Sequence, residues 1–107
     1  PNDSVIQSAM TTVTEVARDK KIPVYGSSKA MVLSGAFATV AISDTKIGEL
    51  TAQMGLKYLK DGTAVKDIPS VVVPAEETVI NQNTLDALGV TVPDDIKNSA
   101  IIVNDAE

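Results

Sequence analysis

KIPVYGSSKAMVLSGAFATVAIS, residues 21–43, decides how this chain folds. It holds two short apolar runs, 22–25 and 36–42. Each ends in small polar residues, Gly26-Ser27-Ser28 after the first and Ser43-Asp44 after the second. Runs this short, rich in Val, Ile, Tyr and Phe and bounded by Gly and Ser, have the length of strands and not of helices. Between them, residues 29–33 suffice for one helical turn before Gly35. The spacing therefore predicts strand, helical turn, strand, with a polar loop beyond each strand end.

Upstream, residues 4–20 carry Val5, Ile6, Ala9, Met10, Val13, Val16 and Ala17 at helical spacing, with Asp3 or Ser4 placed to cap the start. Downstream, Ser43 or Asp44 opens a second long helix with Ile47, Leu50, Thr51, Met54, Tyr58 and Leu59 on its inner face. Gly62 stands where a C-terminal cap is expected. Residues 68–73, between Pro69 and Pro74, read as a third strand near a sheet edge. Residues 78–81 read as a fourth, followed by a short helix over 84–88 closed by Gly89, a turn at Pro93-Asp94-Asp95 and an apolar end at 101–103. Strands alternating with helices point to an α/β fold, a three-layer sandwich with a mostly parallel sheet.

Composition removes whole classes of chemistry. The chain has 107 residues, one domain's worth, with nine basic and fourteen acidic residues and a net charge of −5. That balance opposes binding to nucleic acid or an anionic membrane, both of which need a basic surface. Without histidine or cysteine there is no Ser-His-Asp or Cys-His nucleophile, no Cys/His zinc site and no disulfide. Arg18 is the single arginine. With 44% apolar but only 3% aromatic residues, the core must be aliphatic. The longest nearly apolar stretch, 35–42, is far too short to span a membrane.

In an open α/β sheet, ligands sit beyond the carboxyl ends of strands, where helix N-termini offer free N–H groups. Three polar loops fall there on this reading: Asn2-Asp3-Ser4, Gly26-Ser27-Ser28-Lys29 and Ser43-Asp44-Thr45-Lys46. Their hydroxyls and carboxylates suit a small polar solute, while the competing reading of each is a helix cap. Lys29 and Lys46 end two of these loops and read as solvated surface charges. Glu76-Glu77 and Asp94-Asp95 are adjacent acids beside element starts and do not form a general acid and base. Gly48, Gly55 and Gly62 form no phosphate fingerprint, and the acids lack calcium-loop spacing. No catalytic residue, metal site or cofactor site is expected.

PNDSVIQSAM (1–10), KIPVYGSS (21–28), MVLSGAFATVAIS (31–43), IGELTAQMGLKYLKDG (47–62), IPSVVVP (68–74) and INQNTLDALGVTVPDDI (80–96) follow one another in a characteristic order. In this the chain resembles the carboxyl-terminal half of ABC transporter substrate-binding proteins of the tryptophan/tyrosine type, which have the type I periplasmic-binding-protein fold. The resemblance covers essentially the whole chain. It departs at Ser4, where Asn is usual, at Ser28, where an acid is common, and at Ala41-Ile42-Ser43-Asp44, where Gly-x-Asp/Asn-Tyr is usual.

The resemblance implies two lobes closing on a solute. Residues 1–73 would form the second lobe, and 74–107 would cross back to a first lobe outside this chain, with Pro1 a cut inside a larger protein. It implies ligand contacts at Asp3, Ser4, Gly26, Ser27, Ser28, Ser43 and Asp44. It further implies a small solute such as an amino acid, no enzymatic activity, ABC permease subunits as partners, and an extracytoplasmic protein or lipoprotein held to the membrane only by an anchor outside this chain. With the first lobe absent, Ile80, Leu85, Leu88, Val90, Val92 and Ile96 would lack cover, so self-association is expected. Two other readings stand beside this one: the effector-binding domain of a transcriptional regulator with the same fold, and a flavodoxin-like enzyme domain.

Overall fold

The computed structural model describes residues 3–106. In chain order the elements are α1 (Ser4–Asp19), α2 (Lys29–Leu33), β1 (Ala38–Ala41), α3 (Asp44–Leu59), a 3-10 turn (Val65–Asp67), β2 (Glu77–Asn81), α4 (Gln82–Leu88), α5 (Asp94–Ser99) and β3 (Ile101–Val103). They fall into two units. The first joins the stretch ending at Ala41 to the stretch beginning at Glu77, and the second is Ile42–Glu76.

The first unit is built around β2. Successive side chains on a strand point to opposite faces, and β2 uses both: Val79 and Ile80 are buried on opposite sides. Val79 joins Met10 of α1 and Met31 and Val32 of α2, with Val24 and Val103 packed alongside. Ile80 joins Phe37 and Leu85 and Leu88 of α4, with Ala38, Val92 and Ala100 alongside. Helices thus flank the sheet on both faces, the three layers of an α/β fold.

The sheet order is β1-β2-β3. β2 and β3 are parallel, Val79 opposite Ile101. Residues 22–25 add one parallel bridge, Tyr25 to Ala38, through hydrogen bonds from Phe37 N to Val24 O (2.7 Å) and from Gly26 N to Ala38 O (3.0 Å). β1 and β2, however, are antiparallel, Ala38 opposite Ile80 and Ala41 opposite Glu77. The expected mostly parallel sheet is therefore mixed, because the chain leaves the unit at Ala41 and re-enters beside it at Glu77. Residues 22–25 are also not the buried strand expected: Ile22 and Tyr25 are exposed and Val24 is half-buried.

Local chemistry explains the boundaries. Asp3 Oδ1 accepts from Val5 N (2.9 Å) and Ile6 N (3.0 Å) and starts α1. At the other end Lys21 takes a left-handed φ of 56°, with Ile22 N donating to Ala17 O and Lys21 N to Arg18 O. That pair closes the helix as a Schellman turn, with Lys where Gly is usual. Asn81 Oδ1 accepts from Thr84 N (3.0 Å) to start α4, and Gly89, at φ 69°, ends it.

Of the six tail residues expected to lack cover, Val90 and Ile96 are exposed as expected, while Val92 is half-buried and Ile80, Leu85 and Leu88 are buried within the first unit. The reason is topological: β2 is the central strand, so the segment after Glu77 completes this sheet. The second unit has the opposite character. None of the residues of α3 is buried, including the expected inner face, and Leu59, Val65, Val71 and Val72 stand in solvent, Leu59 80% and Val72 90% exposed. Residues 68–76 form no strand. Pro69 and Pro74 lack N–H donors, and among the described residues no neighbouring strand pairs with this stretch.

Candidate ligand-binding site

The loop Gly26-Ser27-Ser28 follows the carboxyl end of the 22–25 segment and leads directly into α2. Ser28 caps that helix, its Oγ accepting from Met31 N at 3.4 Å. Met31, buried in the core beside Met10, lies beneath the loop: its Sδ is 3.4 Å from Ser27 N and 3.5 Å from Ser27 Oγ. The loop rests so closely on this side chain that a Cβ at position 26 would come within 2.8 Å of Met31 Cβ. Gly26 is there because nothing larger fits.

Asp3 and Ser4 stand at the exposed start of α1, Asp3 as its cap and Ser4 as its first residue. Because α1 and α2 share the Met10–Met31 contact cluster, the first unit joins the helix that begins at Asp3-Ser4 to the helix that begins beyond Ser27-Ser28. Ser43 and Asp44 belong to the second unit. There Ser43 caps α3, its Oγ accepting from Lys46 N at 3.4 Å, and Asp44 occupies the first turn, where a negative charge favours the helix dipole. Asp3, Ser28 and Ser43 are thus all helix caps, while Gly26 and Ser27 form the turn before one. Each cap uses part of a side chain's hydrogen-bonding capacity. Lys46 Nζ approaches Glu76 at 3.5 Å, an exposed pair worth little.

The densest polar cluster was not legible as such in the sequence. Arg18 donates from Nη1 and Nη2 to Asp105 (2.8 and 2.7 Å), from Nε to Thr84 Oγ1 (2.9 Å) and from Nη2 to Gly35 O (3.3 Å). Fully buried Asn81 donates to Val32 O (2.7 Å) and to Asp105 Oδ1 (2.8 Å), and Thr84 Oγ1 donates to Gly35 O (2.8 Å). The Arg18 guanidinium, with help from the Asn81 amide, holds the Asp105 carboxyl below its usual range despite partial burial, which acts the other way. This cluster ties the chain end to α1, α2 and α4. Its members satisfy one another, as a structural clamp does. The only cue in the sequence was the solitary arginine.

A groove of about 540 Å³ opens on the Phe37–Ile80 face of the first unit, bordered by Tyr25, Gly26, Val40, Val92 and Ile96. Tyr25 packs edge-on against Phe37, ring centroids 5.6 Å apart. Among the described residues no group of acids could hold a metal ion, and no helix is long and apolar enough to cross a membrane.

The profile of the family described as ABC transporter substrate binding protein matches residues 1–104. A tyrosine-binding protein of Clostridioides difficile is 38% identical over 88 residues, which are 82% of this chain and 25% of that protein. Among solved structures, the ligand-free, open form of a Clostridium difficile substrate-binding protein with adhesive properties superposes with a TM-score of 0.77 at 28% identity, over 99% of this chain and 35% of its own. A Streptococcus pneumonia ABC domain in complex with L-Trp gives 0.76 at 32% identity, over 96% and 36%. The chain thus spans about a quarter of the curated relative and about a third of the solved ones. With the family profile matched from residue 1 to residue 104, this chain belongs to the ABC transporter substrate-binding protein family.

Proposed function

We propose that these residues are part of an extracytoplasmic solute-binding protein that takes up a small polar solute, an amino acid, and presents it to ABC permease subunits without transforming it. Proteins of this family are in general extracytoplasmic binders and not enzymes. The observation that carries the reading is the polar Gly26-Ser27-Ser28 loop, seated on Met31 between the 22–25 segment and α2, in a chain whose relatives are named for tyrosine and tryptophan. Asp3, Ser4, Gly26, Ser27 and Ser28 would contact the solute from one lobe, and Ser43 and Asp44 from the crossing that follows β1. The regulator alternative has no counterpart among the relatives named above.

Lobe membership follows the distribution of exposed apolar surface. Residues 3–41 and 77–106 would form one lobe, and residues 42–76 would pack on the other. This reverses the role expected of 74–107. It gives the uncovered side chains of α3 and of 68–73 a surface to bury, worth roughly 1.5–3 kcal/mol for each large one fully covered. β1 and β2, side by side at Ala41 and Glu77, would then be the paired crossing.

The test is calorimetric titration of the full-length polypeptide with L-tyrosine and L-tryptophan. Ser27→Ala combined with Asp3→Ala should weaken binding at least ~10-fold, since two hydrogen bonds, one charged, are worth ~1.4 kcal/mol or more. Unchanged affinity in the folded double variant would reduce these loops to helix caps.

A further inference from the structure

A helix end leaves its last carbonyls without partners inside the helix. At the end of α2 those carbonyls are all taken up by residues from far along the chain. Val32 O accepts from Asn81 Nδ2 (2.7 Å), Leu33 O from Ala106 N (2.9 Å) and Ser34 O from Thr14 Oγ1 (3.0 Å). Gly35 O accepts from Thr84 Oγ1 (2.8 Å) and Arg18 Nη2 (3.3 Å). Consecutive carbonyls thus sit in one socket, built by α1, the junction of β2 with α4, and the chain end. A helix of five residues is far too short to be stable on its own, so the place of α2 is set by these tertiary bonds and by its packing.

The other end of α2, about 7.5 Å away, carries the Gly26-Ser27-Ser28 loop. Ser28 Oγ accepts from Met31 N (3.4 Å), and Ser27 N and Oγ lie 3.4 and 3.5 Å from Met31 Sδ. Met31 is itself fixed in the core with Met10, Val32 and Val79. Socket, helix and loop are therefore one short piece: a shift at the carbonyls moves Met31, and Met31 moves the serines seated on it.

We propose that Thr14, Asn81 and Thr84 are positioning residues for the solute, acting through α2 to set where Ser27 and Ser28 stand. All three are buried, at 3%, 0% and 2% exposure, so their effect on a solute is exerted through the helix and not by contact. This rests on the reading of Gly26-Ser27-Ser28 as a solute contact.

The test is made in the full-length polypeptide. Thr84→Val removes the donor to Gly35 O with little change of volume, and Thr84→Ser keeps it. NMR shifts of the Ser27 and Ser28 amides are read without ligand, and affinity for L-tyrosine and L-tryptophan by calorimetry, both on folded protein. Thr84→Val should move both amides and weaken binding ~3- to 30-fold, the span of couplings carried through packed elements, and Thr84→Ser should do neither. A residue that served stability alone would lower the melting temperature and leave both readouts in place. Should Thr84→Val fail to fold, Thr14→Val against Thr14→Ser puts the same question at Ser34 O. Unmoved loop amides or unchanged affinity in the folded valine variant would overturn the proposal, as would losses that the serine variant shares. A wild type that binds neither amino acid would instead sink the solute reading, with the loop amides still deciding whether the socket sets the loop.

Discussion

Arg18 and Asp105, eighty-seven positions apart, meet as a two-pronged ion pair, Nη1 to Oδ2 at 2.8 Å and Nη2 to Oδ1 at 2.7 Å. A planar guanidinium matches a carboxylate in this geometry as no lysine can. The pair closes the chain end over α1, and Asn81 reaches Asp105 Oδ1 from beneath. Ala106 N, donating to Leu33 O at 2.9 Å, adds a backbone bond to the same closure.

Removing either partner should be costly. Asp105→Ala, leaving a half-buried guanidinium without its carboxylate, should lower unfolding stability by about 1–2 kcal/mol, the exposure of Asp105 keeping the effect below that of a fully buried pair. Urea unfolding of Arg18→Ala, Asp105→Ala and the double variant measures the coupling. Strictly additive losses would mean that the pair contributes nothing as a pair.

The same contact makes stability pH-dependent with a definite sign. The Asp105 carboxyl is held below its ordinary value of 3.8, chiefly by the Arg18 hydrogen bond. Its contribution is therefore fully present above pH ~4, the unfolded value, and is lost as pH falls through the lower folded value. The stability gap between the wild type and Asp105→Asn should be constant from pH 5 to 7 (roughly the window above both values) and shrink below pH ~4. A gap that widens on acidification would contradict the assignment.

Two glycines should respond oppositely to a methyl group. Gly35 has φ 103°, and a Cβ there would come within 2.5 Å of Thr14 Oγ1 and 3.1 Å of Arg18 Nη2. Gly35→Ala should cost more than ~2 kcal/mol through both strain and disruption of the Arg18 contacts. Gly48, inside α3 with nothing within 4 Å of its Cβ position, should accept Ala with a gain of roughly 0.5–1 kcal/mol in helix stability. Thermal melts of the two variants should move in opposite directions.

Hydrogen exchange should separate the two units. Amides of β2, between two buried clusters, should exchange only through near-global opening, whereas α3, without a buried residue, should open locally. In the 107-residue chain by itself, protection at Val79–Asn81 should exceed that at Leu50–Met54 by ~100-fold or more. Equal protection would show that α3 has found cover within the chain.

Most elements were legible because their signals are local. The start of α1 at Asp3, the turn of α2 after Ser28, the cap at Ser43 and the stop at Gly89 depend on side chains reaching their own backbone a few residues away. The candidate loops could be placed by the same logic, since a polar loop after a strand is visible in a single sequence. Residues 68–73 show the limit. Their composition is that of a strand, but a strand exists only when another one pairs with it, and among the described residues none does.

The sequence by itself therefore determined helices α1 to α4, the caps at Asp3, Ser43 and Gly89, the polar loops after residues 25 and 42, and the absence of histidine and cysteine chemistry, while α5 was read only as a turn. Only the tertiary structure decided which apolar residues are covered. Val5, Val16 and Leu59 look as hydrophobic on paper as Val32, Val79 and Leu85, yet the first three lie in solvent and the last three in the core. It also decided that the segment from Glu77 completes the sheet begun at Ala38, and that Arg18 finds Asp105. Covering a side chain or pairing a charge requires a neighbour brought from far along the chain, and local spacing carries no record of where that neighbour will be.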